Sequence, residues 1–382
     1  MAVKLPLFPT SVVGSFPRPS WLTRALRDLR AGRISPDEFE EYLDDAVIAT
    51  IKEEEAAGLD VITDGEQRRL SFFFAELFDG MEYKPLYQLA ETPEARGYLE
   101  SLGIHRGIYH PVATSHLRLR LERVEREAGF ALKYSSKPLK FTLPSPYMLM
   151  IDSWNKKLTS DYYPTPEDLG FEVARLLNKA VRRLAEMGVF FIQLDDPSLS
   201  NPIDPKYYRL VELVNGYKPR QPINEELSLA VELVNEAVRG VSGVKLGVHV
   251  CRGNWPGPEE ALPRGGYERI MPYLNQLRVD QLVLEFATPR AGSLEVLGMA
   301  EKEVGLGVVD VKRPEVESPE QVAGRAKEAL KYLDPGRLWL NPDCGFASGA
   351  TWPVQPRRRS FEKVRAMVEA AWILRREYEG RA

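Results

Sequence analysis

The chain has 382 residues, 44% of them hydrophobic and 28% charged, with 51 Lys and Arg against 55 Asp and Glu for a net charge of −4. That balance excludes nucleic-acid binding driven by bulk charge. A mean hydropathy of −0.30, with no apolar run of about 18 residues, excludes a membrane-spanning helix. Two cysteines are too few for a disulfide framework, and the N-terminus carries no apolar segment of signal-peptide length, so a reducing cytoplasm is expected.

In chain order, the first element expected is a strand over 10–15. Ser35-Pro36-Asp37-Glu38 reads as an N-cap, a proline at the first helical position and a capping box; its helix should run to about Ala57 and stop at Gly58. A second strand follows at 60–63. The stretch 78–138 is too long for an ordinary βα loop and is expected to be an insertion. It holds His105, His110 and His116, expected at its surface, and the alternation over 112–119 predicts a hairpin lying over one end of the fold. A third strand at 139–143 precedes a helix opened by Thr165-Pro166-Glu167-Asp168 and ending near Met187 and Gly188. A fourth strand covers 190–194, and a helix capped by Asn224 should stop at Gly240. Strands at 245–250, 281–286 and 306–311 come next. A helix opened by Ser318-Pro319-Glu320-Gln321 ends before Asp334, and a strand covers 338–340.

Apolar strands alternating with helices indicate a parallel sheet buried on both faces. Eight repeats point to an α/β fold of the closed (β/α)8, TIM-barrel type, one domain over 1–382 with the insertion 78–138 after the second strand. An open doubly wound sheet is the alternative, but no glycine-rich dinucleotide loop follows the first strand.

In such a barrel the chemistry sits at the C-terminal ends of the strands. There the sequence offers Ser15, Glu66, Asp195, His249, Cys251, Glu285, Asp310, Lys312 and Cys344. Residues i and i+2 of a strand share a face, so His249 and Cys251 present an imidazole and a thiol side by side, half of a zinc site. Glu285 lies in an apolar strand, where an unpaired carboxylate is costly. Cys344 is the only other cysteine, and it too falls at a strand end. The four together suit zinc; two buried thiols with an ion-paired glutamate are the alternative. Glu66 and Asp195 could hold the ammonium of an amino acid and Ser15 its carboxylate, or the two acids could pair with Arg68, Arg69 or nearby lysines. Arg252 follows Cys251 directly, in a loop beside the metal.

Val13-Gly14-Ser15-Phe16-Pro17, Asp64-Gly65-Glu66, Ile192-Gln193-Leu194-Asp195-Asp196-Pro197, His249-x-Cys251, Glu285 and Asn341-Pro342-Asp343-Cys344-Gly345 occur in an order that resembles the catalytic barrel of cobalamin-independent methionine synthase. The resemblance runs over nearly the whole chain. It implies a methyltransferase of methionine biosynthesis that moves a methyl group onto the thiol of homocysteine with zinc as cofactor. It implies His249, Cys251, Glu285 and Cys344 as metal ligands, and Ser15, Glu66 and Asp195 as the homocysteine-binding set.

The departures bear on the methyl donor. Family members carry two barrels, against one here. The family's strand-seven His, a proton donor to the folate leaving group, is matched here by Lys312, near Asp310. The family's Trp after strand three has its nearest counterpart in Trp154, two positions out of register, and Asp196 replaces a Glu. Removing a methyl from a folate amine requires a proton; removing it from cobalt does not. Methylcobalamin or a corrinoid protein partner is therefore the expected donor, with methyltetrahydrofolate as the alternative. A zinc lyase or alkyltransferase acting on another thiol, such as coenzyme M, is a further alternative that Arg252 keeps open.

Overall fold

The structure, a computed structural model, describes residues 4–71, 73–103, 108–204, 206–254, 263–350 and 352–378. His105 and residues 255–262 of the loop after Cys251 lie outside them. Capping chemistry sets the long helices. Ser35 and Glu38 close a capping box on Pro36–Ala57, which ends at Gly58 in the left-handed region with φ 90°. Thr165 with Asp168 opens Pro166–Glu186, and Ser318 with Gln321 opens Pro319–Ala329, in the same way. Asn224 is not a cap: its helix, Ile223–Ala237, begins one residue earlier, after Pro222 and without a side-chain cap.

Within the expected insertion, β1 (Phe78–Pro85) and β2 (Tyr109–Leu119) pair antiparallel, Phe78 opposite Leu119 and Pro85 opposite Tyr109. β2 packs on the chain after the third barrel segment, where Thr159 Oγ1 donates to Ala113 O at 2.7 Å and Leu117 N–H donates to Tyr163 Oη at 2.8 Å. His116 is exposed and edges onto Tyr162 and Tyr163. His110 is buried against Phe73, contrary to the surface position expected for it, because the hairpin turns that residue inward.

β3 (Lys140–Pro144), β4 (Phe191–Asp195), β5 (Lys245–Val250), β6 (Gln281–Leu284), β7 (Glu303–Val309) and β8 (Leu338–Pro342) form one parallel sheet in that order. Two further segments close it into a barrel. Thr10 bridges Leu340 and Ile62 bridges Leu139, both parallel, while Asp60 and Val61 N–H donate to Thr10 O. The strands expected at 10–15 and 60–63 shrink to these bridges. Asp60 Oδ2 takes the N–H and hydroxyl of Thr10 at 2.8 Å each, standing in for ladder bonds, and is locked at 2.6 Å by Arg375 of the last helix, Arg357–Tyr378.

Period-two alternation divides each strand between the helices and the barrel axis. Val13, Val61, Phe191, Val283 and Trp339 form an apolar cluster separate from the main core, one residue from each of five barrel segments. On β4 the same face continues from Phe191 to Gln193 and Asp195; on β5 it runs Gly247, His249, Cys251. Polar chemistry thus stacks directly on an apolar plug. The plug needs space: a Cβ on Gly247 would stand 2.6 Å from the Phe191 ring. Gly247→Ala should therefore cost about 1–3 kcal/mol of stability; urea unfolding, followed by the midpoint shift at constant slope, checks this.

Candidate active site

His249, Cys251 and Cys344 converge at the carboxyl ends of β5 and β8. Their ligand atoms lie within 4.8 Å of one another, and all three residues are buried. Strand pairing orients the imidazole. His249 is the register partner of Val283, and its Nδ1 lies 3.0 Å from Val283 O. Donation there leaves Nε2 buried, with no hydrogen-bond partner placed for it among the described residues. A metal-ligating histidine typically gives its other ring N–H to a carbonyl in this way. Cys344 Sγ–H donates to Cys251 Sγ at 3.4 Å, and Gly253 N–H donates to the same sulfur at 3.3 Å. Both cysteines are free thiols.

The electrostatics suit a cation. The hydrogen bond from Cys344 and the neighbouring imidazole hold the Cys251 thiol well below its usual range against the penalty of burial, while Cys344 is pushed up. Burial alone would push His249 down; the Cys251 charge outweighs it and holds the imidazole at about 9. A buried imidazole nitrogen facing a thiol already inclined to ionise fits a zinc ion, which takes sulfur and nitrogen donors.

Glu285 is not brought into this group. Its Oε2 accepts Arg252 N–H at 2.9 Å, and its Oε1 is paired with Arg290, Nε at 3.1 Å. The ion pair offered by the sequence as the alternative for this carboxylate is the one observed.

Ser15, Glu66 and Asp195 line the same cleft as the three metal-type residues. Asp195 is the register partner of His249. Burial raises its carboxyl to about 7, His249 opposing and Glu66 adding. Gln193 holds it at 2.6 Å, and Lys140, deep in the barrel, donates to Gln193 at 3.1 Å. Glu66 sits at φ 53°, a left-handed backbone that costs a side-chain-bearing residue about 1 kcal/mol. The Asp64 carboxylate at 2.9 Å from its N–H stabilises that turn. Thr142 Oγ1 donates to Glu66 Oε1 at 2.7 Å, with Arg69 at 3.3 Å, so Glu66 faces the cleft and is ion-paired at once. Arg68 pairs with Glu40 and Asp44 instead. Gly14 is required beneath: a Cβ there would stand 2.4 Å from Glu66 Oε1. The Ser15 hydroxyl donates to Ala347 O at 2.7 Å.

The remaining predicted residues divide. Arg252 lines the cleft, stacks on Tyr267 at 4.3 Å and donates to Gly265 O at 2.5 Å. Trp154 does not line it: the indole N–H donates to Tyr163 O at 2.9 Å, and the ring belongs to the core. Lys312 does not line it either. Its N–H is taken by Asp310 at 2.8 Å, and Asp310 pairs with Arg313 at 3.3 Å. Asn254, in the loop that follows Cys251, also lines the cleft; so do Asp152, Asn201 and Tyr207, which escaped the sequence reading because none sits in a strand-end pattern.

A closed parallel barrel with a buried imidazole and two thiols at the strand ends places the chain among the (β/α)8 barrel enzymes. A family model described as "Cobalamin-independent synthase, Catalytic domain" matches residues 8–212 and 261–372. A methionine synthase of Saccharolobus islandicus is 34% identical over 379 residues, covering 98% of this chain and 97% of the relative. One of Sulfurisphaera tokodaii is 32% identical over 381 residues, covering 99% and 96%. In structure, a B12-independent methionine synthase from Shewanella sp. W3-18-1 superposes with a TM-score of 0.74 at 22% identity, covering 98% of this chain and 99% of that one. The chain belongs to the cobalamin-independent methionine synthase family, and it is a methyltransferase. The matched ranges leave out 213–260, so His249 and Cys251 rest on the geometry above.

Cys344→Ala should lower the zinc retained after dialysis by roughly tenfold or more; metal analysis of wild type and variant side by side checks this.

Proposed function

We propose that this enzyme makes methionine by moving a methyl group from a methyltetrahydrofolate to the thiol of homocysteine, with zinc held by His249, Cys251 and Cys344. The observation that carries it is the buried His249 imidazole beside two thiols, in one cleft with Glu66 and Asp195. Bound there, zinc supplies the positive charge that ionises a substrate sulfhydryl, whose ordinary pKa of about 8.5 leaves it mostly protonated at neutral pH. The chain's own residues do the rest. Glu66 and Asp195 bind the substrate ammonium, and the wall that carries Ser15 receives the carboxylate end. The Thr142 and Arg69 bonds hold Glu66 still, and Gln193 holds Asp195, so the sulfur meets the methyl group in a fixed line. Both thiols must stay reduced to act as ligands, which sets the reaction in a reducing compartment such as the cytoplasm.

The family description favours a folate donor over the corrinoid expected from the sequence. A sulfonate thiol such as coenzyme M would leave Glu66 and Asp195 without an ammonium to bind.

The test is methionine formation by zinc-loaded protein from homocysteine, with methyltetrahydrofolates and methylcobalamin as parallel donors. Turnover with the folate and none with the cobalamin is expected; the reverse outcome makes the enzyme corrinoid-dependent. Glu66→Gln should keep its zinc and raise the KM for homocysteine about 10–100-fold, the equivalent of losing one charged hydrogen bond.

A further inference from the structure

The cleft carries a second titratable cluster that the metal side does not use. Asp152, from the helix Pro146–Ser153 after β3, and Tyr207, from the helix Lys206–Asn215, both line it. Tyr207 O–H donates to Asp152 Oδ1 at 2.5 Å. His110 of β2 brings Nδ1 to 3.8 Å from that oxygen, beyond hydrogen-bond reach, and the nitrogen is buried without a partner. Asn215 Nδ2 donates to the backbone O of Asp152 at 3.1 Å. Among the described residues the one other charge acting on the carboxyl is Asp196, itself held by Ser145 and by Leu199 N–H. No Lys or Arg pairs with Asp152 among the described residues.

Three elements therefore bury an acid in the cleft wall without neutralising it. Burial raises Asp152 to about 7, the Tyr207 bond opposing and Asp196 adding. Burial also holds His110 down at about 4, so the imidazole is neutral at pH 7 and offers no cation. A proton donor works best with a pKa near the operating pH.

We infer that Asp152 is the general acid of this cleft, protonating the folate amine as its methyl group leaves. The inference rests on the methyl-folate reading above. In the step, the sulfur–methyl bond forms, the bond between N5 and the methyl carbon breaks, and its electron pair stays on N5. The Asp152 carboxyl proton passes to N5. The carboxylate left behind accepts the Tyr207 hydrogen bond and takes a proton from solvent when product leaves. This is the service that the sequence lacks at Lys312, performed from the cleft wall.

The test pairs two methyl donors. N5-methyltetrahydrofolate needs a proton on its leaving group; methyl iodide does not. Asp152→Asn should lower kcat with the folate roughly 100-fold or more. It should keep bound zinc, the circular dichroism spectrum and the rate of homocysteine methylation by methyl iodide within about twofold. Tyr207→Phe should lower kcat with the folate by a smaller factor, with the same controls intact. Asp152→Asn that turns over the folate within about threefold of wild type overturns the inference. So does an equal loss with both donors, which makes the residue structural. Wild type that fails with every methyl-folate while using methylcobalamin defeats the donor assignment instead, a result visible before any variant is made.

Discussion

The hydrogen bond from His249 Nδ1 to Val283 O is the contact on which the site depends. It joins β5 to β6 at the level where the two residues are register partners, and it leaves one imidazole nitrogen for the cleft. A slip of one residue in that pairing would turn His249 and Cys251 together toward the helices, because the side-chain period of a strand is two. The pairing is held from both ends. Below, Gly247 admits the Phe191 ring of the apolar plug. Above, Tyr267 donates to Val250 O at 2.8 Å and accepts Glu285 N–H at 3.0 Å, tying β5 to β6 just past their ladder. Packing energy in the plug and register at the strand ends are thus one constraint.

Charge is arranged around that constraint in a way that a core would not require. Lys140 and Gln193 lie fully buried inside the barrel and reach Asp195 as a chain, while Arg69 reaches Glu66 from the neighbouring turn. Burying two carboxylates unaided would be prohibitive, and cations placed beneath them lower that cost while their free edges face the cleft. The left-handed turn at Gly65 and Glu66 aims the second carboxylate, so backbone strain sits where positioning is needed.

Much of this was legible in the sequence because it is local. Proline-led caps marked three long helices, and β-branched runs marked the six sheet strands. His249, Cys251 and Cys344 stood out because cysteines are few and fall at strand ends. What escaped was set by contacts distant in sequence. The segments at 10–15 and 60–63 carry strand-like residues, yet Asp60, held by Arg375, satisfies Thr10 in place of a ladder. His110 is buried through the fold of the hairpin, and Asp152 reaches the cleft from within a short apolar helix. Neither has a spacing that announces it.

Glu285 shows what such distant contacts decide. As a fourth protein ligand it would give zinc two thiolates and a carboxylate, a centre with one excess negative charge, and close the coordination shell. Instead it lies against Arg290 and the Arg252 N–H. Removing one partner from a buried ion pair costs about 3–5 kcal/mol, so recruiting Glu285 to a metal would give up the Arg290 bridge at a cost of that order. Three protein ligands with one position open is the catalytic arrangement for zinc; four protein ligands is the structural one. With Glu285 held by Arg290, His249, Cys251 and Cys344 are the residues that would hold the zinc of the proposed reaction, and a substrate thiolate would bring the negative charge that the carboxylate does not. The Glu285–Arg290 bridge thus keeps one carboxylate away from the cluster of imidazole and thiols, so the charge of that cluster is set by the two cysteines and the histidine.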